Sequence, residues 1–335
     1  MTKMITENFH SLVGTVPLGH FDAGKFDATC KAMRGLGFVG VYFNDIFFEA
    51  KPPETKVSAS ELVFADDDMV YVARPKSQLL EIRDIAGANG LSVPSSHFLQ
   101  TLPPPGEPLE WIFPWHEKLL DVAALLGMKC VTTHAGSMLG LPCARYMGAK
   151  AAQFHAGTLS CSELYAAGKE AYGKERLLPD LHAVYHRLCD AAAARGMRVS
   201  VETAVSELPE ISYDIERMLR FIADVGAPNL GVCVDSGHCN FEHLDIAEVV
   251  KRIGNLFFET HFHDNFGDTD SHYPVGVGTI NWRETINAMV DASYGGLITF
   301  EQSNNQVNSL NWNLFLNAVE KQRTAPCVKT KETGK

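Results

Sequence analysis

A chain of 335 residues, 46% hydrophobic and 21% charged, has the composition of a globular protein with room for one large α/β barrel or two smaller domains. Its net charge of −11 repels polyanions and no run of Lys and Arg supplies a local basic groove, so nucleic acid and acidic membrane surfaces are disfavoured as partners. No apolar run is long enough to span a bilayer and the start has no signal-peptide pattern, so a cytoplasmic location is expected, with the eight Cys as reduced thiols.

Short β-like runs alternate with helical runs along the chain. Strands are expected over Leu12–Leu18, Phe38–Phe43, Leu91–His97, Cys130–His134, Arg198–Glu202, Leu230–Asp235, Phe257–His263 and Leu297–Glu301. Most are near-continuous apolar runs, the pattern of parallel strands buried on both faces. Helices are expected over Phe26–Leu36, Lys76–Ala88, Glu110–Leu126, Leu178–Arg195, Ile211–Val225, Asp245–Ile253, Trp282–Ala292 and Leu310–Gln322. Gly35, Gly90, Gly127, Gly196 and Gly254 stand where C-terminal caps belong. Eight strand–helix units predict a TIM (β/α)8 barrel rather than an open doubly wound sheet. The barrel is expected to occupy 1–323 as a single domain, with 324–335 as a polar C-terminal tail.

Two connections exceed ordinary loop lengths, one from Asp45 to Val72 after strand two and one from Gly136 to Tyr172 after strand four. Both follow strands, so both belong on the active face of a barrel, as lids or as surface insertions.

Six consecutive strands end in metal-ligand residue types. In order these are His97; His134; Glu202; Asp235 with His238; His261, His263 and Asp264; and Glu301. One such His is more often a satisfied core residue than a ligand. Six at the same topological position are a different matter, because the carboxyl ends of barrel strands converge on one cavity floor. Glu202 lies within the apolar run VSVETA, where a buried carboxylate needs a cationic partner. Few Arg lie near the strand ends, which favours a metal over a buried ion pair.

These motifs resemble the xylose-isomerase-like superfamily of TIM barrels over most of the chain, and most strongly from Val199 onward. For its sugar isomerase and epimerase branch, the resemblance implies one divalent metal (Mn2+, Mg2+ or Co2+) on Glu202, Asp235, His261 and Glu301. Glu202 and Glu301 would then move a proton through a metal-stabilised enediolate, and His238 of the Asp235-Ser-Gly-His238 segment would reach the substrate. His263 would be a supporting neighbour of His261. The segment His272-Tyr-Pro-Val-Gly-Val-Gly278 resembles the family turn that precedes the last strand.

The endonuclease IV class of AP endonucleases shares this barrel. Its larger set, for Zn2+ or Fe2+ in a multinuclear centre, would map onto His97, His134, Glu202, Asp235, His238, His261, Asp270, His272 and Glu301. The chain departs from that class at His134-Ala-Gly136, which replaces a His-Pro-Gly turn, and in loops that are acidic or neutral. A metal-dependent lyase or oxidase is a third reading, because fold does not fix reaction. At the second strand, where relatives carry an acidic substrate contact, this chain has Tyr42, with Asn44 or Asp45 as substitutes. Trp111, Trp115 and Phe43 are candidate apolar walls. The expected partner is a small molecule that is not a sugar phosphate, with a homo-oligomer as the family's common assembly.

Overall fold

The computed structural model describes residues 12–16, 21–44, 46–57, 62–65, 70–98, 100–206 and 210–301. Its strands run β1 (Leu12–Thr15), β2 (Gly40–Tyr42), an inserted trio β3 (Phe48–Lys51), β4 (Leu62–Ala65) and β5 (Val70–Ala73), then β6 (His97–Phe98) and β7 (Cys130–Thr133). After these come β8 (Arg198–Glu202), β9 (Leu230–Asp235), β10 (Phe257–Phe262) and β11 (Ile298–Phe300). Eight of them form one parallel sheet in the order β2-β1-β11-β10-β9-β8-β7-β6. Bridges Gly40↔Ser92 and Phe43↔Ser96 join the two ends, which closes the sheet into the TIM barrel the strand pattern predicts. A closed sheet rules out the open doubly wound alternative.

Burial explains why these runs became strands. Every residue of β9 is buried, including Asp235, so a continuous apolar run with one terminal carboxylate fills the inside and outside of the barrel wall at once. Helices pack on the outside through Leu119 and Leu120 of α3 (Phe113–Leu126), Leu188 of α7 (Lys174–Ala193), Ile222 of α8 (Ile215–Val225) and Ile286 of α11 (Trp282–Asp291). Each such side chain contributes roughly 1.5–3 kcal/mol of burial.

Helix ends follow local chemistry. Asp214 caps α8 by accepting the Arg217 N–H, so that helix starts at Ile215 and not at Ile211. Pro114 near the start of α3 fixes its beginning at Phe113, behind a 3-10 turn over Leu109–Trp111. Helix α7 begins earlier than expected, at Lys174, directly after Gly173. Gly35 ends α1 (Ala23–Gly35) inside the helix, and the left-handed position falls to Gly37, at φ 93°. The expected helix over Leu310–Gln322 and the polar tail lie outside the described residues.

The two long connections are both structured. The first is the antiparallel sheet β3-β5-β4. The second holds α4 (Ala144–Met147), α5 (Ala149–His155) and α6 (Cys161–Tyr172), the last begun by a Ser160–Glu163 capping box. Seven Cys among the described residues are free, all buried except Cys161. No helix among the described residues is long and apolar enough to cross a membrane.

Candidate metal centre

The carboxyl ends of β6 to β11 bring the strand-end residues into one buried cluster. His97, His134, Glu202, Asp235, His238, His261, His263 and Glu301 are each at most 9% exposed. Glu202 is central. Its Oε2 lies 2.9 Å from His97 Nε2, 3.1 Å from His261 Nδ1 and 3.3 Å from His134 Nε2. Glu301 Oε2 approaches the same His261 Nδ1 to 3.0 Å.

Three overlapping sets of side chains each place their donor atoms within 4.8 Å of one another. The first is His97, Glu202, His261 and Glu301. The second is Glu202, Asp235 and His238. The third is His238, His263, Asp270 and His272. Of the four residues expected around one metal, three therefore sit together, and Asp235 joins Glu202 and His238 instead. Asp235 Oδ1 accepts the His238 N–H at 2.7 Å and lies 2.9 Å from His263 Nε2. His263 thus pairs with Asp235 and does not simply back His261.

The residues fit divalent metal, and the hydrogen bonds say why. A ligating His usually donates its other ring N–H to a backbone carbonyl or carboxylate, which fixes the tautomer. His238 Nδ1 donates to the Thr203 carbonyl at 2.7 Å, and His272 Nδ1 to the Glu301 carbonyl at 3.2 Å. Both Nε2 atoms then face Asp270 Oδ2 at 3.2 Å. A neutral Nε2 and a carboxylate oxygen are both acceptors, so a proton or a cation must lie between them. Glu202 Oε1 is buried without a hydrogen-bond partner, a costly arrangement that a metal would relieve.

The charges respond accordingly. Burial disfavours the His238 imidazolium, but Asp235, Asp270 and Glu202 outweigh it and push its pKa up to about 10. Burial alone dominates at His97, which falls to about 4. At Glu301 burial opposes ionisation, yet His261 and His97 hold the carboxyl well below the usual range.

Two buried carboxylates escaped the strand-end argument. Glu210 Oε2 lies 3.0 Å from His134 Nδ1, the same supporting geometry, but Glu210 is on a loop. Glu259 is two residues before His261 on the same face of β10, and it accepts from Ser95 at 2.7 Å and Thr132 at 3.1 Å. Glycines in the motifs make room for the cluster. A Cβ on Gly237 would overlap the His263 ring, and one on Gly278 would overlap Asp264 and Asn265.

Asp264 anchors a loop. Its carboxylate accepts from Gly276 N at 2.9 Å and Trp282 Nε1 at 2.8 Å. Tyr42 stands edge-on to His261, ring centroids 5.1 Å apart, and its buried hydroxyl has no hydrogen-bond partner. Asp45 lies outside the described residues. A cavity of about 720 Å³ opens beside His97. Trp115 and Asn44 line it; Trp111 and Phe43 do not.

Several proteins resemble this chain. The L-ribulose 3-epimerase of Methylomonas sp. (strain DH-1) is 26% identical over 125 residues, 37% of this chain and 42% of that protein. The match spans half or less of the length of each of the four curated relatives. Among solved structures, D-allulose 3-epimerase from Methylomonas sp. in complex with D-allulose has a TM-score of 0.58 at 15% identity, covering 94% of this chain and 97% of that one. The 3-keto-D-glucoside 4-epimerase from E. coli has a TM-score of 0.59 at 14% identity, covering 94% and 100%. At these identities the structural likeness shows the fold. The chain belongs to the xylose isomerase-like TIM barrel family, whose model matches residues 54–320.

Proposed function

We infer that the protein is a divalent-metal-dependent enzyme that epimerises or isomerises a sugar or sugar-like hydroxy-carbonyl compound. The observation that carries this is the convergence of Glu202 and Glu301 on His261 Nδ1, at 3.1 and 3.0 Å, in a buried cluster. Two carboxylates held this close can serve both as ligands and as proton carriers to one substrate. The epimerases among the relatives and structural neighbours support the reading.

His97, Glu202, His261 and Glu301 would hold the metal, and Asp235 lies with Glu202 and His238 in the adjoining set. A bound divalent cation supplies positive charge where negative charge develops on the substrate oxygens. Glu202 and Glu301 take the proton from the carbon beside the carbonyl and return it, to the opposite face in an epimerisation or to the neighbouring carbon in an isomerisation. Positioned proton transfer of this kind gives roughly 10²–10⁴-fold. His238, its Nδ1 held by the Thr203 carbonyl, would orient a substrate oxygen through Nε2 by exchanging its contact with Asp270. The enzyme works as one barrel domain on a small molecule, without nucleic acid or membrane.

A second reading is favoured by the set of His238, His263, Asp270 and His272. A second metal there would make the centre multinuclear, as a phosphodiester hydrolase requires. Metal analysis of the purified protein separates the two. One Mn2+, Mg2+ or Co2+ per chain, unchanged in Asp270→Asn/His272→Asn, is expected for the epimerase. Two or three Zn2+ or Fe2+ per chain, with cleavage of abasic DNA, would overturn it.

A further inference from the structure

We propose that the substrate is a sugar-like hydroxy-carbonyl compound bearing an aromatic aglycone, its carbonyl on a carbon other than the one that holds the aglycone, with the sugar at the Glu202–His261–Glu301 cluster and the aglycone in the cavity next to it. The proposal rests on reading that cluster as the reacting end.

His97 connects the two places. Its Nε2 lies 2.9 Å from Glu202, and the same side chain lines the 720 Å³ cavity. That volume lies in the range that accommodates drug-sized ligands. A free monosaccharide, held at the cluster by its own oxygens, would leave most of it unused. The cavity exists because of the two insertions. Phe48 and Tyr71 come from the β3–β5 sheet and Phe47 from the residue before it, and Met138, Leu139 and Tyr165 come from the segment that follows β7. Two separate additions to the barrel therefore wall one space that begins at the metal ligands.

The chemistry of the wall names the class of occupant. Phe48 and Trp115 stack at 4.5 Å with 28° between their planes, and form a continuous aromatic surface. Polar partners for a second sugar are present at Asn44, Arg74 and Gln100, but this aromatic surface favours a planar ring over hydroxyls. An aromatic ring would lose nothing and gain offset or edge contacts. Polar side chains line the cavity as well, with Arg74 buried and Lys51 and Glu49 part-exposed and 3.5 Å apart. The reacting end of the ligand belongs at His97, next to the cluster, and its ring against Phe48 and Trp115.

The test compares phenyl β-D-glucopyranoside with methyl β-D-glucopyranoside, both unreactive analogues without a carbonyl, by calorimetric titration of the Mn2+-equilibrated full-length protein. The two share their sugar, and differ only in the group that would enter the cavity. Burial of a phenyl ring predicts affinity about tenfold to a hundredfold higher for the phenyl glucoside. Ala50 is exposed and lines the cavity, so Ala50→Trp should bring the ratio close to one while Mn2+ binding is retained. Phe48→Ala should lower the ratio as well. Equal affinities in the wild type, no binding of either glucoside, or a ratio that both variants leave intact would overturn the proposal. Failure of the metal reading is separate: it would appear as no binding of Mn2+ titrated alone.

Discussion

His263 lies flat on His272, ring centroids 3.8 Å apart and planes 9° from parallel. One imidazole follows strand β10 and the other comes from the loop nine residues later. Both point nitrogen at Asp270, with His272 Nε2 at 3.2 Å and His263 Nε2 at 3.7 Å. His272 holds its place at φ 47°, a left-handed conformation that few side chains adopt and that the Glu301 carbonyl stabilises. Such strain persists where the surroundings over-determine it. With one metal per chain, His272→Ala is expected to leave metal retention unchanged, whereas an ion held by the third set would be retained at least about tenfold more weakly. Metal bound at Glu202, His261 and Glu301 should remain. Chelator competition followed by elemental analysis reads both, and unchanged retention of every ion would show that His272 is no ligand.

Asp264 bears on the same loop. Its carboxylate holds Gly276 N and Trp282 Nε1, and its backbone bridges Tyr273 in both directions at 2.8 and 2.9 Å. The His-x-x-x-Gly-x-Gly turn is thus fastened to strand β10 by one buried side chain. Asp264→Ala should cost about 3 kcal/mol, because it leaves two buried donors, Trp282 Nε1 and Asn265 N, unpaired. A urea melt measures this. Asp264→Asn, which keeps an acceptor oxygen, should recover part of the loss. If both variants melt like the wild type, Asp264 does not anchor the loop.

Glu210 supports His134 as Asp264 supports the loop. The 3.0 Å contact to His134 Nδ1 leaves Nε2 facing Glu202 at 3.3 Å. Removing the charge while keeping the shape, in Glu210→Gln, should lower metal affinity by less than about tenfold, because His134 reaches the metal set only through Glu202. The melting temperature should change little, since Gln can still accept the Nδ1–H. Unaltered metal affinity would leave Glu210 with a packing role only.

What was legible in the sequence follows from these positions. Buried parallel strands must be continuous apolar runs, so Leu230–Asp235 stood out, and its terminal Asp235 with it. Ligands at strand ends are tied to that signal, which is why His97, Glu202, His261 and Glu301 could be expected in one place. Glu210 carries no such tag. It sits on a loop and reaches His134 only through the folded geometry. The same holds for the grouping of Asp235 with His238 and His263, since period-two alternation puts His261 and His263 on one face but cannot say which carboxylate each meets. The insertions were legible as excess length. Their joint cavity was not, because it depends on how two segments far apart in sequence pack around Trp115.

His116 gives a pH signature independent of the metal centre. It is 3% exposed, its Nε2 donates to the Gln100 carbonyl at 3.1 Å, and no carboxylate pairs with it among the described residues. Burial lowers its pKa to about 4, and the Gln100 bond only partly opposes this. The folded protein therefore keeps His116 neutral where the unfolded chain, titrating near 6.5, takes up a proton. The unfolded state binds more protons between these values, so this residue's contribution to stability is complete above about pH 6.5 and disappears as pH falls to about 4. The shift corresponds to something on the order of 3 kcal/mol. Denaturant melts of wild type and His116→Gln across pH 4 to 7 isolate the effect. The wild type should lose stability faster than the variant over that window, and parallel curves would mean that His116 is solvated enough to titrate normally in the folded state.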